Sequence, residues 1–188
     1  SQGHFRHQIN CLPGTATTII EDDEFDNLDV EMRVRKVSGS DEPWFGIALV
    51  VENPNLDIYH RFMISSARTY TYEVNVLTPA GDQRDFHIIQ RRTRSLEIQG
   101  ATGLNNLRVV RIGREVAFYV NDVQLVCLND FPAEANVKVA LLTAPQATIP
   151  YTPSPNTSVI EVAFHSLEIF EPSMDIICAN PVETGGGS

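Results

Sequence analysis

The segment NNLRVVRIGREVAFYVNDVQL, residues 105–125, has the most regular pattern in the chain. From 116 to 120 every second residue is large and apolar, which is the period of a strand with one buried face. Gly113 can adopt the positive φ that a tight turn needs, and Asn121-Asp122 is a second turn signal. The segment predicts short antiparallel strands joined by tight turns, and it contains no nucleophile, metal-ligand set or phosphate-binding loop.

The composition is typical of a soluble globular protein. The chain has 188 residues, of which 43% are hydrophobic and 20% charged, and no apolar run is long enough to span a bilayer. Acidic residues outnumber basic ones by 24 to 14, giving a formal charge of -10. Long-range attraction to phosphate backbones or anionic lipids is therefore disfavoured unless basic residues cluster locally. We expect no nucleic-acid partner and no membrane insertion.

Other segments rich in β-branched and aromatic residues are separated by breaks rich in Asn, Pro, Asp or Ser, and no segment holds a helical apolar spacing for three turns. Strands are predicted at residues 5–9, 17–20, 28–37, 44–52, 58–65, 69–77, 86–89, 95–98, 137–142 and 159–170. In the last strand the apolar residues change parity between Phe164 and Leu167, which predicts a β-bulge near His165-Ser166. This spacing of short strands is typical of an all-β sandwich.

Four motifs occur in a fixed order along roughly residues 5–170. The first runs from FRHQI through ATTII and EFDNLDVEMRVRKVSGS to WFGIALVV, and the second is YHRFMIS followed by YTYEV. The third is EIQG followed by the opening segment, and the fourth is VAFHSLEIF. Together they resemble concanavalin A-like and laminin G-like jelly-roll domains, including those of bacterial surface proteins. The resemblance implies an all-β, two-sheet antiparallel jelly-roll sandwich. The family's Asn-Gly turn is Asn121-Asp122 here, so a different turn type is expected, since Asp disfavours positive φ.

The same fold includes laminarinase-type glycosidases, so the resemblance raises the possibility of glycosidase activity. These enzymes use two glutamates in a Glu-x-Asp-x-(x)-Glu pattern. The nearest match, residues 24–29, ends in Asp29 and lies at the entry of a strand, which is more typical of an acidic solvated loop. The alginate-lyase pattern and a Gly-x-Ser-x-Gly elbow are also missing from the sequence. We therefore predict a non-catalytic protein, with a glycoside hydrolase-like enzyme as an alternative.

A binding face is predicted on one sheet formed by strands 28–37, 44–52, 58–65 and 69–77. Alternation assigns a set of apolar residues to the core, namely Val30, Met32, Val34, Ile47, Leu49, Phe62, Ile64, Tyr70 and Tyr72. The opposite parity leaves an open surface of Arg33, Arg35, Tyr59, Arg61, Met63 and Glu73. Arginines beside an aromatic ring and a carboxylate suit sugars, although a salt-bridged, solvated sheet face is the alternative. A second basic cluster, Arg91-Arg92-Thr93-Arg94, is predicted in a connection between strands, where it could attract an acidic glycan or a protein.

Hard oxygen ligands before the first long strand predict a structural calcium site, and no other cofactor is expected. The proposed ligands are Asp22, Asp23 and Asp26, next to Glu24. The three cysteines, Cys11, Cys127 and Cys178, show no zinc spacing. Two alternatives remain open, namely three thiols or one bridge plus a free thiol, and the first pairing to consider is Cys11 with Cys178.

The predicted organisation is one domain over residues 3–172, followed by a tail over 173–188 that ends in a flexible, engineered-looking linker. The proline-rich stretch 145–158, which contains a glycosylation sequon at Asn156, is predicted as a surface loop. The resemblance implies a monomeric recognition or adhesion module, extracellular or on the cell surface, whose partner is a glycan or a surface protein. Glycan binding is the first hypothesis, and a protein-binding or spacer module is the alternative.

Overall fold

The computed structural model describes residues 5–9, 16–19, 24–39, 41, 43–52, 54–78, 83–132, 136–144, 160–172 and 178. Within these residues the chain forms twelve strands in two six-stranded antiparallel sheets. The strands are β1 (Phe5–Ile9), β2 (Ala16–Ile19), β3 (Leu28–Ser38), β4 (Trp44–Glu52), β5 (Asp57–Ser65), β6 (Thr69–Leu77), β7 (Gln83–Arg94), β8 (Asn105–Ile112), β9 (Glu115–Val120), β10 (Val123–Leu128), β11 (Lys138–Ala144) and β12 (Ile160–Phe170). The predicted two-sheet, all-β architecture is confirmed.

The two sheets are interleaved along the sequence. Sheet A has the order β1-β12-β3-β8-β9-β10, and sheet B has the order β2-β11-β4-β5-β6-β7. Hydrogen-bonded neighbours such as β12 and β3, or β11 and β4, are far apart in the chain, which is the connectivity of a jelly roll. None of the described segments forms a helix long and apolar enough to cross a membrane.

One core fills the space between the sheets. All nine predicted core residues are buried there, and Phe62 of sheet B packs against Phe118 of sheet A with ring centroids 4.9 Å apart. Tyr72 also meets Phe118, at 5.3 Å. Offset and tilted aromatic contacts of this kind contribute about 0.5–1.5 kcal/mol each beyond the area they bury. The opening segment therefore supplies the aromatic contact that joins the two sheets.

Both turns of the opening segment contain residues with positive φ. Gly113, between β8 and β9, has a φ of 56°, as predicted. Asn121 and Asp122, between β9 and β10, have φ values of 49° and 67°, which is the type I′ pattern. The expectation of a different turn type was wrong, because Asn121 is held by its side chain, which accepts a hydrogen bond from the Asn106 amide at 2.9 Å and donates one to the Glu97 carbonyl at 2.6 Å.

Other local predictions met different outcomes. The bulge in β12 is confirmed, since the register with β3 shifts between Phe164 and Ser166. Residues 95–98 are not a strand, although Ile98 is buried in the core. The basic cluster at 91–94 lies within β7 rather than in a connection, because β7 continues to Arg94 along the edge of sheet B.

The disulfide joins Cys127 to Cys178, with Cα atoms 5.5 Å apart, so the pairing of Cys11 with Cys178 was wrong. Cys127 lies on edge strand β10, and the bridge is buried in a small cluster with Val110 and Ala117 on the side of sheet A away from the core. The covalent framework therefore extends past residue 172. Cys11, the loop at 145–158 and residues 179–188 lie outside the described residues.

Candidate functional site

The face of sheet B that points away from the core, called here the outer face of sheet B, has an apolar part and a polar part. The apolar part is a separate cluster on β4, β5 and β11, formed by Trp44, Ala48, Val50, Met63, Ala140, Leu142 and Ala144. The polar part lies on β5 and β6 and consists of Tyr59, Arg61, Thr71, Glu73 and Asn75. The residues between them in sequence, such as Phe62 and Tyr72, point into the core. In this part of β5 and β6, alternation thus places the polar side chains on the outer face and the apolar ones in the core.

Arg61 and Glu73 are directly opposite each other on β5 and β6 at the centre of this face. They are 7% and 4% exposed, respectively. The Nε atom of Arg61 is buried without a hydrogen-bond partner, and its guanidinium lies 5.9 Å from the centroid of the Tyr59 ring. This distance allows a cation–π attraction but supplies no acceptor. A buried guanidinium therefore has unused donor capacity.

Burial acts against both charges of this pair. Desolvation lowers the pKa of Arg61, an effect that the nearby Glu73 carboxylate opposes. Desolvation likewise raises the pKa of Glu73, and the positive charge of Arg61 opposes that shift. The mutual effect is purely coulombic, because no hydrogen bond joins the two side chains. The pair is electrostatically coupled but lacks the geometry of a structural salt bridge.

Asn75 adds a second unsatisfied group beside this pair. It is 4% exposed, lies opposite Tyr59 across the strands, and its Oδ1 atom is buried without a partner. By contrast, the Thr71 hydroxyl donates to the Gln90 carbonyl at 2.9 Å. A buried polar group without a partner costs about 1–3 kcal/mol, so such groups are rare in folded proteins. Arg61 and Asn75 together mark a place where water or a ligand would complete the hydrogen bonds.

The other end of the outer face is built around Trp44. The Arg92 guanidinium of β7 lies 5.7 Å from the centroid of the Trp44 ring, which brings a second cation to this face. Next to Trp44 on the same face, Gly46 lies so close to β5 that a Cβ atom would be 2.0 Å from the Phe62 carbonyl oxygen. Only glycine fits at this position of β4.

The structure brings together three of the five predicted ligand-binding residues. Tyr59, Arg61 and Glu73 share the outer face of sheet B. Arg33 and Arg35 lie on β3, which belongs to sheet A, so their assignment to the same face was wrong. The reason is that β3 pairs with β12 and β8, distant segments that alternation within β3 does not reveal.

The prediction that this surface is exposed to solvent was also wrong. Arg61, Glu73 and Met63 have the predicted parity but are 7%, 4% and 1% exposed. The sequence interpretation also missed Asn75 and Trp44. Asn75 has the same parity as Glu73, and Trp44 the same parity as Ala48, so the strand period could have identified both residues.

The acidic segment at 24–29 lies away from this face. Asp29 is paired with Arg108 at 2.8 Å on sheet A, and Asp26 is exposed. Asp22 and Asp23 lie outside the described residues. Among the described residues no group of three His, Cys, Asp or Glu side chains could hold a metal ion. The calcium site therefore stays a prediction.

Carboxylates on the outer face of sheet B are few within the described part of the chain. Glu73 lies at the centre, whereas Glu52 and Asp57 face each other where β4 ends and β5 begins. Lys138 binds Glu52 at 2.7 Å, and the pKa of Asp57 is raised by burial and by the charge of Glu52. A glycosidase requires two carboxyl groups about 5–10 Å apart that flank the scissile bond. The central position of the described face holds one carboxylate beside an arginine instead.

Comparisons with known proteins identify the fold. No family model matches the chain, and no curated protein does. Among solved structures, a laminarinase catalytic domain, an endo-1,3-beta-glucanase from Thermotoga petrophila RKU-1, has a TM-score of 0.57 and 13% identity over 85% of this chain and 69% of its own. A Bacteroides ovatus mixed linkage glucan GH16 protein in complex with a G4G4G3G product has a TM-score of 0.57 and 7% identity over 83% of this chain and 74% of its own.

LamAcat from Zobellia galactanivorans is similar, with a TM-score of 0.56 and 14% identity over 80% of this chain. The match covers 66% of LamAcat, so this chain spans just under two thirds of that protein's length. Identities this low carry information on the fold and none on the chemistry of the site. The chain has the concanavalin A-like jelly-roll fold of laminarinase-type proteins.

Proposed function

We propose that this protein is a glycan-binding module and that the outer face of sheet B is its binding site. The observation that carries the proposal is the pair of buried, unpartnered polar atoms, Arg61 Nε and Asn75 Oδ1. Arg61 lies opposite Glu73 on the neighbouring strand, and Asn75 lies two residues after Glu73 on β6. A sugar hydroxyl both donates and accepts hydrogen bonds. Neighbouring hydroxyls of one ring can therefore satisfy a guanidinium, an amide oxygen and a carboxylate at the same time.

The surroundings of these groups also suit a sugar ring. Tyr59 is half-buried, and its ring centroid lies 5.9 Å from the guanidinium of Arg61. The C–H faces of a sugar pack on such surfaces while its hydroxyls reach the polar groups. Two proteins of similar structure are an endo-1,3-beta-glucanase and a mixed linkage glucan GH16 protein in complex with a G4G4G3G product. They support the proposal as analogies of fold.

We propose further that the module is non-catalytic. Support comes from the described part of the outer face, where Glu73 faces Arg61 rather than a second carboxylate. A single carboxylate at this central position lacks either the acid or the base and nucleophile of glycoside hydrolysis. The other two carboxylates described on this face, Glu52 and Asp57, lie at its end, where Lys138 binds Glu52. The enzyme alternative has a direct test, namely incubation of the bound glycan with the protein and measurement of new reducing ends.

The proposed location is extracellular or on the cell surface. The Cys127–Cys178 bridge supports it, since disulfides persist mainly in oxidising compartments. Such a location would give the module access to a glycan or to a surface protein. It agrees with the formal charge of -10, which disfavours nucleic acid as the partner.

The experiment is a glycan array probed with the purified protein, with and without calcium. Arg61→Met and Asn75→Ala should each weaken binding about tenfold, because each removes a buried hydrogen-bonding group worth about 1.5 kcal/mol. Arg35→Met is the matched control, since Arg35 is exposed on sheet A. If the protein binds no glycan on the array, the proposal is wrong. If Arg35→Met weakens binding as much as Arg61→Met does, the site is on the other sheet instead.

A further inference from the structure

Charges on sheet B are segregated along the direction of its strands. At the end where Thr69 pairs with Arg94, the exposed side chains of β7 and of the β5–β6 turn form a basic end consisting of Arg68, Arg91, Arg92 and Arg94. At the opposite end, Glu52 pairs with Asp57, and Asp85 of β7 lies beside β6. Lys138 at that end is bound to Glu52 at 2.7 Å, and the His87 ring lies 2.8 Å from Asp85. Among the described side chains of the sheet, arginines thus concentrate at one end and carboxylates at the other.

Two arginines bring this positive charge onto the outer face itself. Arg92 lies over the Trp44 ring at 5.7 Å, and Arg61 is buried at the centre with its Nε unpartnered. Glu73 and Tyr59 both act to raise the pKa of Arg61; Glu73 has the larger effect, and no hydrogen bond joins its carboxylate to Arg61. A guanidinium has a planar fork of donors that fits the oxygens of a carboxylate or a sulfate. The arginines are thus arranged to receive an acid group.

The overall charge of the protein makes this local cluster selective. A formal charge of -10 repels polyanions at long range, so an anion would be held only where arginines concentrate. A neutral glucan would gain nothing from the basic end, and its hydroxyls would bring no negative charge to Arg61. An acid group near Arg61 would offset the desolvation of its guanidinium, and the exposed Arg92 would attract the same group.

We propose that the glycan bound by this face is anionic, carrying carboxylate or sulfate ester groups that lie toward the basic end and Arg61. This inference rests on the proposed glycan-binding function and adds the chemical class of the ligand. The inference also sets the orientation of the bound glycan, because its acid groups avoid the end of the sheet that holds Glu52 and Asp57.

The experiment is an array of matched glycans that differ only in their acid groups. Chondroitin sulfate, its desulfated form and its carboxyl-reduced form separate sulfate from carboxylate, and polygalacturonate and its methyl ester form a second set. Every bound glycan should carry an acid group, and its removal should weaken binding about tenfold or more, the loss expected for one charge-assisted hydrogen bond. Added salt should weaken the binding as well.

Variants of the basic end give a second measurement. Arg92→Gln with Arg94→Gln should weaken binding of the anionic glycan about tenfold, whereas Arg35→Gln on sheet A should not, since only the former pair belongs to the basic end. Binding of neutral glycans as tight as that of their anionic counterparts would overturn this inference and leave the proposed function intact. Binding of no glycan at all would overturn both.

Discussion

Arg61 and Glu73 face each other across β5 and β6, each more than nine-tenths buried, and yet no hydrogen bond joins them. A structural ion pair at this depth is expected to form direct hydrogen bonds, because these offset the high cost of desolvating two charges. An arrangement that leaves donors and acceptors unused lowers the stability of the free protein. It is a common feature of sites whose polar groups are completed by a ligand.

The first prediction concerns the stability cost of this pair. The double variant Arg61→Met with Glu73→Gln should leave the free energy of unfolding unchanged or raise it by about 1–2 kcal/mol, because it removes two desolvated charges and breaks no hydrogen bond. Urea denaturation measures the change. Arg111→Met is the control, since the Arg111 guanidinium donates to the Phe25 and Pro132 carbonyls at 3.0 and 3.1 Å and should be needed for stability. A loss as large as that of the control would identify Arg61 and Glu73 as a structural network.

The second prediction concerns pH and His60, a buried residue of the core. Its Nδ1 atom lies 2.6 Å from the Tyr72 hydroxyl, and its ring packs on Phe131 at 4.4 Å. Burial lowers the pKa of His60 from 6.5 to about 4, an effect that Asp130 opposes and Arg111 reinforces. The unfolded chain therefore binds a proton below pH 6.5 that the folded protein accepts only near pH 4.

The stability contribution of His60 is accordingly complete above pH 6.5 and is lost progressively as the pH falls to about 4. The loss should reach about 3 kcal/mol over this window, and His60→Gln should remove that part of the pH dependence. Urea denaturation at several pH values measures how the free energy of unfolding depends on pH in the wild type and in His60→Gln. His87→Gln is the control, since His87 is exposed. Identical pH profiles for the wild type and His60→Gln would contradict the assignment.

The third prediction concerns the type I′ turn. Asp122 has a φ of 67°, a conformation that glycine adopts without strain. Asp122→Gly should therefore stabilise the protein by about 1 kcal/mol, and Asp122→Ala should destabilise it. Thermal unfolding gives the order of the three proteins. A glycine variant less stable than the wild type would show that Asp122 makes a compensating contact.

The fourth prediction concerns the disulfide. The bridge closes a loop with a sequence separation of 51 residues. Chain-entropy arguments give a stabilisation of about 4 kcal/mol for a loop of this size, so Cys127→Ser should lower the melting temperature strongly. Peptide mapping without reduction should recover Cys127 joined to Cys178, with Cys11 as a thiol. Recovery of Cys11 joined to Cys178 would contradict this pairing.

The fold could be predicted from local sequence patterns because each pattern is physically local. Alternation identified the core residues from Val30 to Tyr72, and the parity change after Phe164 identified the β12 bulge. The errors concern contacts between distant segments. Nothing within β3 reveals that it pairs with β12 and β8, so Arg33 and Arg35 were placed on the wrong sheet.

The candidate site was predicted only in part for the same reason. The parity of Tyr59, Arg61 and Glu73 is local information, and it was correct. Their burial depends on how the whole sheet is assembled, which a strand period does not contain. Cys178 pairs with Cys127 because the fold places Cys178 beside β10, and the spacing of the cysteines in the sequence does not reveal this pairing.

The central claim, that the outer face of sheet B binds a glycan, can be measured through Trp44. It is the single tryptophan of the chain and lies on this face, so its fluorescence reports on ligands that bind there. Titration with a glycan selected from the array should change the Trp44 emission along a saturable curve. Arg61→Met should shift the midpoint of this curve to about tenfold higher glycan concentration, and Arg35→Met should leave the midpoint unchanged. Saturable binding by calorimetry that leaves the Trp44 emission unchanged and survives Arg61→Met would contradict the claim.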